Sequence, residues 1–215
     1  MALTKYNYNS FDVTPVASNA FAFNSTPNGL TTAASGAMNL ISTSTVSSGV
    51  SAVSIASGIN STYDTYMFKF INIHPAAAEH FQFQASTDTG SNYGVTLTST
   101  YFHATQNEAG NSTSLSYVAG KDLAQSTSFL RLMDSTSTAN DESGSGTLFL
   151  FSPSNTTFVK HFISRTSQAA TGAKDGFVAG YFNTTSAIDA IQFSMSSGNI
   201  DSGVIKMYGL SKSWV

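Results

Sequence analysis

The sequence predicts an all-β fold, an antiparallel β-sandwich of jelly-roll type preceded by an extended N-terminal arm, and three observations carry that expectation. From Asn39 onward the apolar residues recur with a period close to two. The apolar runs are short and separated by clusters of Gly, Ser, Asn and Asp, the pattern of a sandwich or barrel. No segment sustains the spacing of three and four that a helix needs, and Ser, Thr and β-branched residues dominate.

Residues 1–38 form the arm, and 39–215 the sandwich domain. In the arm Pro15, Pro27, Asn28-Gly29 and the 31–36 stretch are turn or loop chemistry, and the apolar residues hold no period. Tyr6, Tyr8, Phe11, Val13, Phe21 and Phe23 are nevertheless too apolar for a solvated tail. Two readings stand: an arm that packs on its own domain or a neighbouring chain, with Tyr6, Tyr8, Phe11, Phe21 and Phe23 as assembly contacts, or an ordinary first strand and its loop.

Strands follow over 38–46 and 50–56. The 65–74 segment sets Tyr66, Phe68 and Phe70 on one face and Met67, Ile71 and Ile73 on the other, interrupted by Lys69. Two apolar faces predict a strand buried on both sides for much of its length. After the short His74-Pro75-Ala76-Ala77-Ala78-Glu79 connection, Phe81 and Phe83 alternate with Gln82 and Gln84, one apolar face and one wet one. Further strands fall over 93–102, 112–118, 129–133, 147–151, 157–164, 177–182, 190–195 and 204–210, ten to twelve in all. Residues 121–128 have room for a turn or two of helix. The polar, glycine-rich 134–146 stretch is expected to be an exposed, mobile connector rather than a contact surface.

Composition narrows the function. The 215 residues suffice for one large domain or two small ones, yet only 10% are charged, against roughly 25% in ordinary soluble domains. In their place stand 35 Ser and 26 Thr, with 16 Phe and 9 Tyr. A net charge of −3 with no basic run argues against nucleic-acid binding. Without Cys there are no disulfides or thiolate metal sites. No apolar run approaches the ~20 residues of a membrane span, and the opening Met-Ala-Leu-Thr-Lys-Tyr lacks the apolar core of a signal peptide. The expectation is a soluble chain made in a reducing cytosol, or released by lysis, with no membrane partner.

Chemistry-bearing patterns are sparse. His74, His80, His103 and His161 show no metal-pair spacing; His161, sharing a face with Val159 and Ile163, is expected to be mostly buried, and a structural role is favoured for each. Among the carboxylates only Asp141 and Glu142 are adjacent, and Asp88, Asp175 and Asp201 sit in turn contexts where Asp accepts local backbone hydrogen bonds. Asp88 with Asn92, and Asp141 with Glu142, are the only loop groups suited to a cation, and their spacing does not match an EF-hand. Ser143-Gly144-Ser145-Gly146 lacks the strand-before, helix-after context of a nucleophile elbow. Five Asn-x-Ser/Thr sequons, at Asn24, Asn60, Asn111, Asn155 and Asn183, follow from the Ser and Thr content. No catalytic, cofactor-binding or metal residue is assigned. A surface of hydroxyls and aromatics suits sugar binding or packing against copies of itself, and the apolar share makes an oligomeric interface the simpler reading.

Several blocks resemble structural proteins of tailed bacteriophages, notably marine ones. They are Ser61-Thr62-Tyr63-Asp64 leading into Phe68-Lys69-Phe70-Ile71-Asn72-Ile73-His74-Pro75, then Thr100-Tyr101-Phe102-His103-Ala104, and Gly146 to Pro153 with Lys160-His161-Phe162. The most distinctive is Ile191-Gln192-Phe193 through Ser197-Gly198-Asn199-Ile200 and Gly203 to Tyr208-Gly209. The resemblance covers most of the chain after Asn39 and the opening Met-Ala-Leu-Thr. It implies a non-enzymatic virion component without cofactor, assembled in the host cytoplasm, and brings no catalytic residues with it. Two placements are expected to compete: a capsid-decoration protein docked through the arm and joined to its copies, a trimer favoured, and a tail-fibre or receptor-binding protein that attaches to host glycan. A glycan-degrading enzyme, needing facing carboxylates or a carboxylate and a histidine in a cleft, is the alternative from another class.

Overall fold

A computed structural model describes residues 19–23, 30–34 and 37–212, the first two segments by backbone alone. Every described element is a strand. β1 (Asn19–Phe23) and β2 (Leu30–Ala34) pair antiparallel as a sheet of their own. Of the assembly contacts expected in the arm, Tyr6, Tyr8 and Phe11 lie outside the described residues, while Phe21 and Phe23 fall on the backbone of β1.

The other strands form two antiparallel sheets packed as a sandwich. They are β3 (Met38–Val46), β4 (Ala52–Ile55), β5 (Thr65–Pro75), β6 (Phe81–Ser86), β7 (Leu97–Asn107), β8 (Thr113–Tyr117), β9 (Leu130–Arg131), β10 (Gly144–Phe151), β11 (Lys160–Ala169), β12 (Gly172–Phe182), β13 (Ala190–Met195) and β14 (Ile200–Leu210). Sheet order is β3-β14-β5-β10-β11-β12-β7-β8 in the larger and β4-β13-β6-β9 in the smaller. Successive strands β3, β4, β5 and β6, and β9 and β10, alternate between β3-β14-β5-β10 and β4-β13-β6-β9, as in a jelly roll. The hairpins β7–β8 and β11–β12 are insertions that extend one sheet to eight strands while the other keeps four.

The core lies between the sheets. From β5 come Tyr66, Phe68 and Phe70, from β10 Leu148 and Leu150, and from β14 Ile205 and Met207; Phe81, Phe83, Ile191 and Phe193 face them, all essentially without solvent contact. Phe193 is the hub: its ring centroid lies 5.5 Å from Phe68, 5.2 Å from Phe70, 5.8 Å from Phe81 and 6.3 Å from Phe83, so one side chain ties the two sheets together. At the far end of the core the Tyr63 ring lies over Gly209, leaving no room for a Cβ there.

Four strands span only about half the width of eight. Phe83 of β6 still reaches Phe162 of β11 and Phe182 of β12, at 5.3 and 5.9 Å, but loop segments cover the rest of the inner face of β7, β11 and β12, and irregular backbone brings carbonyls that need donors. The inner side chains supply them. Thr166 Oγ1 donates to Leu132 O at 2.8 Å and Gln168 Nε2 to the carbonyls of Asp134 and Ser135 at 3.2 Å, while on the outer side of the smaller sheet Gln84 Nε2 does the same for Thr127 and Ser128 at 3.0 Å.

Four expectations are corrected. Gln84 is buried, because its amide serves those two carbonyls. The 121–128 stretch is irregular rather than helical. The 134–146 stretch is not simply an exposed connector: Asp134, Thr136 and Gly144 are buried and β10 begins at Gly144, although 138–141 is exposed. His161 points outward and Lys160, 0% exposed, points in, because β11 starts at Lys160 and alternates from there. The Lys160 ammonium donates to Phe158 O and Thr184 O, both at 3.1 Å, and burial pulls its pKa down.

A Phe193→Ala substitution is expected to destabilise the fold by about 3–5 kcal/mol. Gly209→Ala is expected to cost about 1–3 kcal/mol by forcing the Tyr63 ring aside. Urea unfolding followed by intrinsic fluorescence measures both.

Candidate interaction surface

The second face of β5 explains why the strand is apolar on both sides. Tyr66, Phe68 and Phe70 are buried, but Met67 and Ile71 are only half-buried and Lys69 is exposed, so the expectation of burial on both sides is corrected: one face looks outward from the sandwich. At Asn72 (φ 49°) and the opposed Gly203 (φ 136°) the ladder slips, and Ile73 turns inward out of phase with Met67 and Ile71. A Cβ at Gly203 would stand 2.8 Å from the Asn72 carbonyl, so glycine is required.

The outward face of the eight-stranded sheet is apolar across its width. Leu40, Tyr208, Met67, Phe149, Ile163, Ala179 and Thr100 stand in register on adjacent strands from β3 to β7. The next row reads Lys206, Lys69, Thr147, Arg165, Phe177, Phe102 and Tyr117, from β14 to β8. Within it Phe102 and Phe177 stack at 4.7 Å, and the Arg165 guanidinium lies 4.9 Å from the Phe177 ring while paired to Asp175 through two hydrogen bonds of 3.1 and 2.7 Å. Ile163 is 52% exposed and Leu115 74%. Among the described residues the remaining large exposed apolar side chains are Met38, Leu40, Phe102, Tyr117 and Phe158; all but Phe158, just before β11, belong to strands of this sheet. A continuous patch of this kind marks an interaction site. Beside its aromatic row lies a depression of about 610 Å³ lined by Gln106, Ser145, Thr147, Arg165, Ser167 and Asp175 among others.

At the margin of β8 the edge is unguarded. All five residues are exposed, and Thr-Ser-Leu-Ser-Tyr contains neither charge nor proline to block further pairing.

On the inner side, Asp134 gathers the chain's charges. It is 4% exposed, and Lys121, Lys174 at 2.8 Å and Arg131 at 3.3 Å reach its two oxygens. Burial works to raise its pKa, but the hydrogen bonds from Lys121 and Lys174 outweigh it and hold the carboxyl well below the usual range. His103 Nδ1, 3.3 Å away, and the buried Tyr101 hydroxyl beside it also face Asp134. Burial, then the nearby cations, lower the pKa of His103 and of His80. Three cations around one carboxylate, fixing 131–134 against β12, make an anchor for the covering loop.

The groups weighed for catalysis and cation binding are accounted for as follows. Asp88 has the turn role expected of it, its oxygens accepting from Ser86 Oγ and from the Asn92 backbone and amide, bonds that lower its pKa to about 2, whereas the same expectation for Asp175 and Asp201 is corrected: they lie within β12 and β14. Folding does bring one histidine to several carboxylates, which the sequence could not show. His74, Asp141, Glu142 and Asp201 line a depression of about 530 Å³ at the rim beyond the Asn72 and Gly203 irregularity. Glu142 Oε1 accepts from Thr171 N at 3.2 Å, and its pKa is lowered, led by a hydrogen bond from Ser137; a general acid needs the opposite shift. Among the described residues no group of three or more His, Asp or Glu is placed to hold a metal ion. No described helix is long and apolar enough to cross a membrane. No family model, curated protein or solved structure matches the chain.

Stability is expected to fall on acidification in two steps. His80 and His103, with folded pKa values below ~6.5, stay neutral in the fold while the unfolded chain takes up protons, so stability is lost as pH drops below ~6.5. Asp134 stabilises the fold above its unfolded pKa of ~3.9 and loses that contribution as pH falls towards its depressed folded value. Urea midpoints across this range measure both steps. H80Q with H103Q should flatten the first, and D134N, which strands partly exposed cations, should cost about 3 kcal/mol at neutral pH and remove the second.

Proposed function

We propose that this chain is a non-enzymatic structural subunit of a tailed-phage virion, a capsid-decoration protein on the particle surface that docks through its N-terminal arm and joins its own copies around a threefold axis. The observation that carries the reading is the unpartnered apolar face of the eight-stranded sheet. A monomer rarely leaves so wide an apolar surface in water, whereas a subunit of a symmetric shell has neighbours to cover it. The resemblance of the β5, β10 and β13–β14 blocks to phage structural proteins supports the same reading. Low charge fits it as well, since ionised groups are the hardest to bury at an interface.

The second reading, a tail-fibre or receptor-binding protein, has its own support in the depression beside Arg165 and Asp175. Amide, hydroxyl and charged groups next to an aromatic row are the chemistry of sugar recognition.

A cryo-EM map of the intact particle separates the two: density on the capsid lattice is expected, and density at the tail alone would move the protein to the fibre. Deleting residues 1–30 is expected to abolish incorporation while the sandwich still folds. Normal incorporation of the truncated chain would sink the docking role of the arm.

A further inference from the structure

Unpaired charge of both signs is left on the molecule, in two separate places. Asp134 holds Lys121, Arg131 and Lys174, Asp175 holds Arg165, and Asp64 holds Lys212. The Lys160 ammonium rests on two carbonyls. Among the described residues Lys69 and Lys206 alone of the cations have neither hydrogen bond nor ion pair, and they stand directly opposite one another in the β5–β14 ladder. Like charges at that position oppose the pairing, and Met67, Ile71, Val204 and Tyr208 around them offer no counter-charge.

Further along the same two strands lies the rim depression with its carboxylates. Among the described residues Asp141 is exposed and engages no group, Glu142 takes hydrogen bonds from Ser137 and Thr171 but pairs with no cation, and Asp201 has only His74, 3.3 Å away.

We propose that the outer sheet face is covered by a second copy of this chain set head to tail, whose Asp141, Glu142 and Asp201 rim meets Lys69 and Lys206. A face-to-face twofold contact that lays the two lysine pairs over one another is disfavoured by charge: it would bury four lysines together, since Asp175 on those strands is already held by Arg165 and Asp201 stands apart at the rim. A head-to-tail contact pairs both clusters and, repeated, closes a ring. Its size is adequate. Eight strands ~4.8 Å apart and about 20 Å of their length give roughly 800 Å², the share each partner contributes to a standard interface. This contact specifies how the copies in the proposed virion subunit join, and takes only the threefold count from that reading.

The test uses the purified full chain. Sedimentation equilibrium at low and high salt is expected to show an oligomer that weakens with salt. K69E/K206E, and separately D141K/E142K, should each raise the dissociation constant about tenfold or more. The four substitutions combined in one chain should restore association. Carbodiimide coupling of mixed isotopically light and heavy chains checks the contact without any variant. It should join Lys69 or Lys206 of one copy to Asp141, Glu142 or Asp201 of another. A monomer at every concentration, an oligomer indifferent to both charge reversals, no recovery in the combined variant, or no coupling between copies would each overturn the contact. A monomer at every concentration would also count against the threefold joining of copies, but none of these outcomes bears on a place in the virion, whose failure is seen in the particle map.

Discussion

The constraint on which the structure depends is the mismatch in width between its two sheets. Eight strands cannot be roofed by four, so the chain completes its core with the segments flanking the two-residue β9. Backbone used as a roof carries polar groups inward, and the buried Thr166 and Gln168 are there to bond them, as Gln84 does for the same kind of segment on the outer side of the smaller sheet. Asp134 belongs to the same solution. A loop that covers a core must be fixed at its end, and three cations on one buried carboxylate fix it. The aromatic cluster around Phe193 is confined to the half where sheet meets sheet, since only there are both sides regular enough to interdigitate.

The strand plan was legible in the sequence because alternation survives any arrangement of the elements: β3 and β13 match their expected bounds, and the other expected strands are present with shifted ends. What could not be read is which cover each face receives. The outward residues of β5 look the same whether another sheet or another molecule lies on them, so alternation alone gives Met67 and Ile71 the pattern of core residues. His161 was misjudged by one position because β11 begins at Lys160, and a one-residue change of phase exchanges the faces of a strand. Buried polar groups were the least legible, as their partners are carbonyls of distant loops. Only Arg131 and Asp134 stand close enough in sequence to hint at the charge cluster, and Lys121, Lys174 and His103 join it through the fold alone. The rim carboxylates were noticed only as Asp141-Glu142; Asp201 and His74 arrive there from β14 and β5.

The charged residues divide into those consumed by folding and those left over. Most cations are spent inside the chain, on Asp134, Asp175, Asp64 or bare carbonyls. Among the described residues the remaining cations, Lys69 and Lys206, sit on a face otherwise rich in Met, Ile, Phe and Tyr. An apolar surface attracts partners indiscriminately, and a few charges without internal partners impose selection on it, since only a neighbour with the opposite sign in the right place relieves them.

The pairing of β3 with β14 has a consequence for when the subunit comes into being. Residues 38–46 and 203–210 are partners in one ladder, so nearly the whole domain must leave the ribosome before its first sandwich strand can be paired on that side. Contacts this distant in sequence make folding slow and place the pairing of β3 after the synthesis of β14. The chain therefore reaches its neighbours as a finished unit or not at all, and a truncated product, lacking the last strand, leaves β3 without its partner.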